Sequence, residues 1–146
     1  MATRRMILKI DAESPQWMSL TIRQRYLYWC LTLFADDDGI TPTCYVRTRI
    51  IFPEDETEYK DILQDLSDLQ VEGLIYNYQG VDHEQYIIIC RWWDKQFIDS
   101  KLYKETDYPI PDKYYLSRPE NLTKKRAKPT FYDSSSIVLD QNRVEE

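Results

Sequence analysis

The side chains best suited to chemistry are few and badly spaced for it. Asp36-Asp37-Asp38 is the densest carboxylate run, but consecutive residues diverge in direction and the alternate-position Asp/Asn spacing of a calcium loop is missing. With Gly39 behind it, the run reads as the stop of a helix. Glu58-Tyr59-Lys60 has the Glu-x-Lys form of some metal-dependent nucleases. Those enzymes place it on a strand with a further acid nearby, whereas here it opens a helix. His83 is the only histidine and lies in a turn, and Cys30, Cys44 and Cys90 are far apart with no C-x-x-C. Their apolar and aromatic neighbours imply buried, reduced thiols. With no glycine-rich phosphate loop and no nucleophile–base pair, the chain reads as a non-enzyme with no cofactor and no metal site.

The elements that would position any site centre on Asp55 to Cys90. Ile62, Leu63, Leu66 and Leu69 recur at helical spacing while Asp61, Asp65, Asp68 and Glu72 fall elsewhere on the wheel. Asp55, with Glu58 three residues on, is the expected cap, and Gly73 the expected end. Leu74–Tyr78 and Gln85–Cys90 then read as a hairpin around a polar loop. Upstream, Ser14-Pro15 starts a short helical turn, and Thr21 with Gln24 opens a helix whose Tyr26, Leu27, Trp29, Cys30, Leu31, Leu33 and Phe34 occupy nearly every side, which predicts general burial. Ile40 is a brief strand, and Pro42 starts a helix with Tyr45, Val46 and Ile50 inward. Met6 to Ile10 reads as a short strand or extended arm.

This order predicts an α+β fold, a winged helix-turn-helix with a three-helix core, a small antiparallel β-hairpin wing and a flexible C-terminal tail. The divisions are residues 1–20, an arm and short helix; 21–100, the winged-helix domain; 101–116, an extended segment packing on it; and 117–146, a flexible, partly basic tail. At 146 residues, 42% hydrophobic and 14% aromatic, the chain can bury one real core. No apolar run approaches the roughly 18 residues that span a bilayer, and Met1 to Ile10 is too short and charged for a secretory signal, which suggests a cytoplasmic protein without membrane contact. The net charge is −6, unevenly spread. Residues 54–72 hold eight acids against Lys60 alone, and residues 118–128 hold five basic residues against Glu120.

Ala35-Asp36-Asp37-Asp38-Gly39, Arg47, Ile51-Phe52-Pro53, Leu66 and Leu69 before Gly73-Leu74-Ile75, Tyr78, Tyr86, and Trp92 with Gln96-Phe97-Ile98-Asp99, in that order and spacing, resemble the N-terminal winged-helix domain of phage replisome organisers, relatives of the DnaD-like primosomal initiators. The resemblance covers roughly residues 5 to 111. It implies a phage or prophage protein of replication initiation in a bacterial host cell, binding origin DNA, assembling with itself as a homo-oligomer and meeting phage or host replication proteins. Such organisers commonly carry a further C-terminal domain; the chain reaches Glu146 without one, so helicase loading is not carried over. Nor does the resemblance supply base-contacting positions.

Charge places the surfaces. A third helix beginning Glu54-Asp55-Glu56-Thr57-Glu58 aims carboxylates at a polyanion, which disfavours standard major-groove docking. The candidate DNA-binding residues are therefore Arg47 and Arg49, with Arg4 and Arg5 at the start and Lys124, Lys125, Arg126 and Lys128 in the tail. Arg47 and Arg49 can alternatively pair with Asp36 to Asp38. Glu54, Glu58, Asp61, Asp65 and Asp68 are candidates for contact with a basic protein. The alternative reading is thus a protein-interaction module or inhibitor using this acidic helix, with a transcriptional regulator behind it.

Overall fold

Two long helices and a three-stranded antiparallel sheet enclose the main core of this mixed α+β protein. The computed structural model describes Ala2 and residues 4–53, 57–111 and 118–123, apart from the side chains at 45–47 and 123. Single-turn helices α1 (Lys9–Ala12) and α2 (Pro15–Met18) lead in. The hydroxyl of Ser14 accepts the Trp17 N–H and Pro15 fills the first turn of α2, as its sequence predicts. The Thr21/Gln24 capping box opens α3 (Ile22–Phe34). Then come β1 (Ile40–Pro42), α4 (Tyr45–Ile51), α5 (Tyr59–Val71), β2 (Ile75–Gln79), β3 (Gln85–Ile89), α6 (Trp92–Lys95) and, after the strap described below, α7 (Glu120–Thr123).

Helix α5 begins later than its sequence suggests. Glu58 is the N-cap and donates its N–H to the Asp61 carboxylate at 3.3 Å, while Asp55 lies outside the described residues. It ends where expected. Gly73 takes φ +80°, and the Leu74 N–H reaches the Leu69 carbonyl at 3.1 Å, closing the last turn.

The strands lie in the order β1-β3-β2, with Thr41 opposite Ile87 and Tyr76 opposite Ile88. β3 is buried on both faces because alternate residues serve different cores. Ile87 and Ile89, with Ile75, join Leu27, Leu31, Ile62, Leu66 and Leu69. Tyr86 and Ile88, with Ile40 and Tyr78, form a second cluster covered by Ile110. Each such isoleucine contributes about 1.5–3 kcal/mol by leaving water. The strap over the second cluster is residues 99–111. Its Pro109 carbonyl accepts the Tyr78 hydroxyl at 2.7 Å, and Tyr108 packs on Tyr86 with ring centroids 5.4 Å apart. An extended segment packed on the domain was expected here; Tyr114, Tyr115 and Leu116 lie outside the described residues.

The Asp36-Asp37-Asp38 run does far more than stop α3. Asp36 Oδ1 accepts the N–H groups of Asp38 and Ile40, both at 3.0 Å, which folds the turn. Asp37 accepts the Arg5 guanidinium at 3.1 Å and the Lys104 N–H at 3.0 Å. Asp38 accepts two bonds from Arg118, one from the Tyr103 hydroxyl and one from the Thr106 N–H. Gly39 is required beside them. Its φ is +84°, and a Cβ would sit 2.7 Å from the Trp92 ring, whose Nε1 donates to the Asp37 carbonyl at 2.9 Å.

Four expectations are corrected. The Asp run pairs with Arg5 and Arg118, not with Arg49, whose guanidinium donates to the Pro53 carbonyl at 3.2 Å. On α4 it is Ile51 that turns inward, whereas Ile50 is exposed; the side chains of Tyr45, Val46 and Arg47 lie outside the described residues. On α3 only one face is buried: Leu27, Tyr28 and Leu31 enter the core, while Ile22, Tyr26, Trp29 and Leu33 are exposed. A thirteen-residue helix packed on one side cannot cover every apolar side chain it carries. Arg118 and Leu122, read from sequence as tail, are buried because the carboxylate of Asp38 and a core seat await them.

Candidate nucleic-acid interface

The second long helix of the core, α5, presents two chemically different flanks, and the helical period sets them. Asp61, Asp65, Asp68 and Glu72 recur at i, i+4, i+7 and i+11, so they share one side. That side meets α3. Arg23 binds Asp65 through Nε at 2.6 Å and Nη2 at 3.2 Å, and Gln24 donates to Asp65 at 3.2 Å and to Asp68 at 2.9 Å. Asp65 is only 3% exposed. It is therefore removed from any open acidic face, which corrects its placement among the protein-contacting residues. Asp61 and Asp68 are half-buried, and Asp68 also accepts the Gln64 amide at 3.0 Å. Of the five acids proposed for protein contact, Glu58 alone among the described residues is largely exposed, and Lys60 stands 3.5 Å from it. Glu54 lies outside the described residues.

The flank left to solvent carries Lys60, Leu63, Gln64, Ser67, Gln70 and Val71, all exposed. Its only charge is positive. Between this flank and the sheet opens a groove of about 550 Å³. Tyr59, Leu63, Leu66 and Gln70 form its helix wall, and Thr43, Asn77 and Gln85 line the strand side. Gln70 Oε1 accepts both the N–H and the side-chain amide of Asn77 at 2.8 Å, which pins the helix to β2. The Thr43 hydroxyl is buried with no hydrogen-bond partner among the described residues.

The hairpin loop beside the groove is tied by its own hydrogen bonds and carries acids. The Tyr86 hydroxyl donates to Asp82 at 2.6 Å, and His83 adopts φ +69°. Burial first, then the Asp82 carboxylate, pushes the Tyr86 phenol up to about 12; the Tyr86 hydroxyl, followed by the Glu84 N–H, holds Asp82 below the usual carboxylate range. Nothing in this loop supplies a cation for phosphate.

Of the residues proposed for DNA, Arg49 is exposed at the end of α4, while the Arg47 side chain and Lys124, Lys125, Arg126 and Lys128 lie outside the described residues. Arg5 is spent on Asp37. Two features escaped the sequence reading, namely the groove and an exposed apolar stripe of Ile22, Tyr26, Trp29 and Leu33 along α3. The stripe has a findable signal, a 4-3-4 spacing parallel to the buried series. The groove has none, since its walls come from distant segments.

No group of three or more His, Cys, Asp or Glu side chains among the described residues is arranged to hold a metal ion. No described helix is long and apolar enough to cross a membrane. No protein-family model, curated protein or solved structure matches the chain.

Proposed function

We propose that this chain is a winged-helix DNA-binding module of a phage-type replication-initiation system. The helix–strand–helix–helix–hairpin order with strands β1-β3-β2 fits that fold, with α5 as the recognition helix and β2–β3 as the wing. The observation that carries the reading is the orientation of α5. Asp65 and Asp68 turn toward Arg23 and Gln24, so the flank of Leu63, Gln64, Ser67 and Gln70 offered to a duplex is uncharged, with Lys60 and its neighbour Glu58 at the helix start. Asp65 and Asp68 are thereby withdrawn from the charge objection, which then rests on the acids at the helix start, of which Glu58 is exposed beside Lys60. Phosphate contact falls to Lys60, Arg49 and the basic residues after Thr123.

The test is titration of the intact chain with labelled duplex and single-stranded DNA at several salt concentrations. Neutralising about three phosphates on duplex gives a log-log slope near −2.7. Absence of binding at low salt overturns the reading.

A second reading, assembly through protein contact, is favoured by the α3 stripe. Its 4-3-4 spacing is that of a helix-pairing seam. Sedimentation of the intact chain across a concentration range tests it: association that Leu33→Lys abolishes supports the stripe, and a monomer throughout removes it.

A further inference from the structure

We infer that the groove between α5 and the β2–β3 hairpin seats an unstacked base of single-stranded DNA. The inference rests on the DNA-binding reading above and assigns this groove a ligand within it.

The groove's chemistry is that of a base rather than a phosphate. No charged side chain lines it, and the aliphatic Leu63 and Leu66 offer a surface to a ring face, with Tyr59 beside them. Its polar groups can both give and accept. Because Gln70 Oε1 is filled by Asn77, the Gln70 amide NH2 and the Asn77 carbonyl oxygen remain as a donor and an acceptor. Gln85 adds a third carboxamide from β3. Carboxamides make the paired donor–acceptor contacts that base edges offer. Thr43 adds a hydroxyl to the strand wall, one with no hydrogen-bond partner among the described residues.

The alternative occupant is an extended peptide added to the free edge of β2. That edge is sealed at its centre, because the Asn77 N–H already donates to Gln70 at 2.8 Å. A peptide would have to break this bond to gain its own. A base fits the groove with the bond intact.

The experiment compares a single-stranded thymidine oligonucleotide with an abasic oligonucleotide of the same length and backbone, binding to the intact chain and to the T43V/Q85A double variant. Base seating predicts that the intact oligonucleotide binds on the order of tenfold tighter than the abasic one, and that the double variant loses this ratio while keeping its thermal midpoint and salt slope. Equal binding of both oligonucleotides with a clear salt slope overturns the groove assignment and leaves the DNA-binding reading standing. No binding of either oligonucleotide or of duplex overturns both. Groove amide signals of Asn77 and Gln85 that shift with protein concentration alone, and not with oligonucleotide, overturn the inference in favour of a protein occupant.

Discussion

Arg118 and Asp38 form a two-point ion pair with both side chains shut off from solvent, Nε to Oδ1 at 2.9 Å and Nη2 to Oδ2 at 3.1 Å. Arg118 Nη2 also reaches Glu105 at 3.1 Å, so one guanidinium ties the turn after α3 to the strap and to the segment leading into α7. Deleting one partner leaves the other charge buried. Arg118→Ala is therefore expected to cost about 3–5 kcal/mol, and Arg118→Lys to recover only part, because an ammonium cannot reproduce the planar fork. Urea denaturation of the three proteins checks this; an alanine variant within 1 kcal/mol of the parent would show, on the same principle, that the pair is not buried in solution.

Where the chain can be cut follows from the same contact. Removal of Ser117 to Glu146 looks harmless from sequence, since residues 118–128 are polar and basic. It would take away Arg118 and Leu122, which are 7% and 1% exposed. A chain ending at Leu116 is expected to melt about 10 °C or more below the full chain, whereas one ending at Thr123 keeps its midpoint and loses the five basic and four acidic side chains of residues 124–146. Calorimetry of both truncations decides, and equal midpoints would place the domain boundary back before residue 117.

Asp36 gives the fold a pH dependence of unusual sign. Burial, only partly offset by the Thr106 hydroxyl and the Ile40 N–H, raises its carboxyl to about 6. The folded state then holds this proton more tightly than the unfolded chain does. Stability from this group is gained as pH falls from about 6 toward the ordinary carboxylate value near 4, and is absent above 6, a swing of up to about 3 kcal/mol. Asp36→Asn mimics the protonated form and keeps an oxygen for Asp38 and Ile40. It is expected to be more stable than the parent at pH 7 and to show a flatter profile between pH 7 and pH 5. A destabilised Asp36→Asn at pH 7 would mean that the ionised carboxylate is the favoured form.

Gly39 is a sharper constraint than its place in a turn suggests. With φ at +84° and the Trp92 ring 2.7 Å from the missing Cβ, Gly39→Ala strains the backbone and displaces the tryptophan. About 2–4 kcal/mol is the expected loss, read as a lower midpoint together with altered tryptophan emission. Unchanged emission would mean that Trp92 does not lie against this turn.

What the sequence made legible was local: caps, stops and period. Ser14, the Thr21/Gln24 pair and Gly73 act within a few residues of themselves, and the Leu74–Cys90 stretch gave its hairpin. The candidate site was less readable because its character depends on direction across the molecule. The acids of α5 were visible as a cluster, but their engagement by Arg23 and Gln24 lies about forty residues away in sequence. Likewise the Asp36–Asp38 run resembled a plain helix stop because Arg5, Tyr103 and Arg118 reach it from both ends of the chain.

That inward turn of the α5 acids makes a last prediction about charge on the open face. Ser67 is exposed between Leu63 and Gln70 on the neutral flank, so a lysine there would add a cation on the face proposed for duplex contact. Ser67→Lys is expected to tighten duplex binding at low salt and to steepen the log-log salt dependence by about 0.9, one further phosphate. Leu102→Lys, an equal charge at an exposed position on the strap, should shift net charge alike without steepening the slope by that amount. The two variants separate local contact from bulk electrostatics: a matched change in both would assign DNA binding to overall charge, and a change in Ser67→Lys alone would place the duplex on α5.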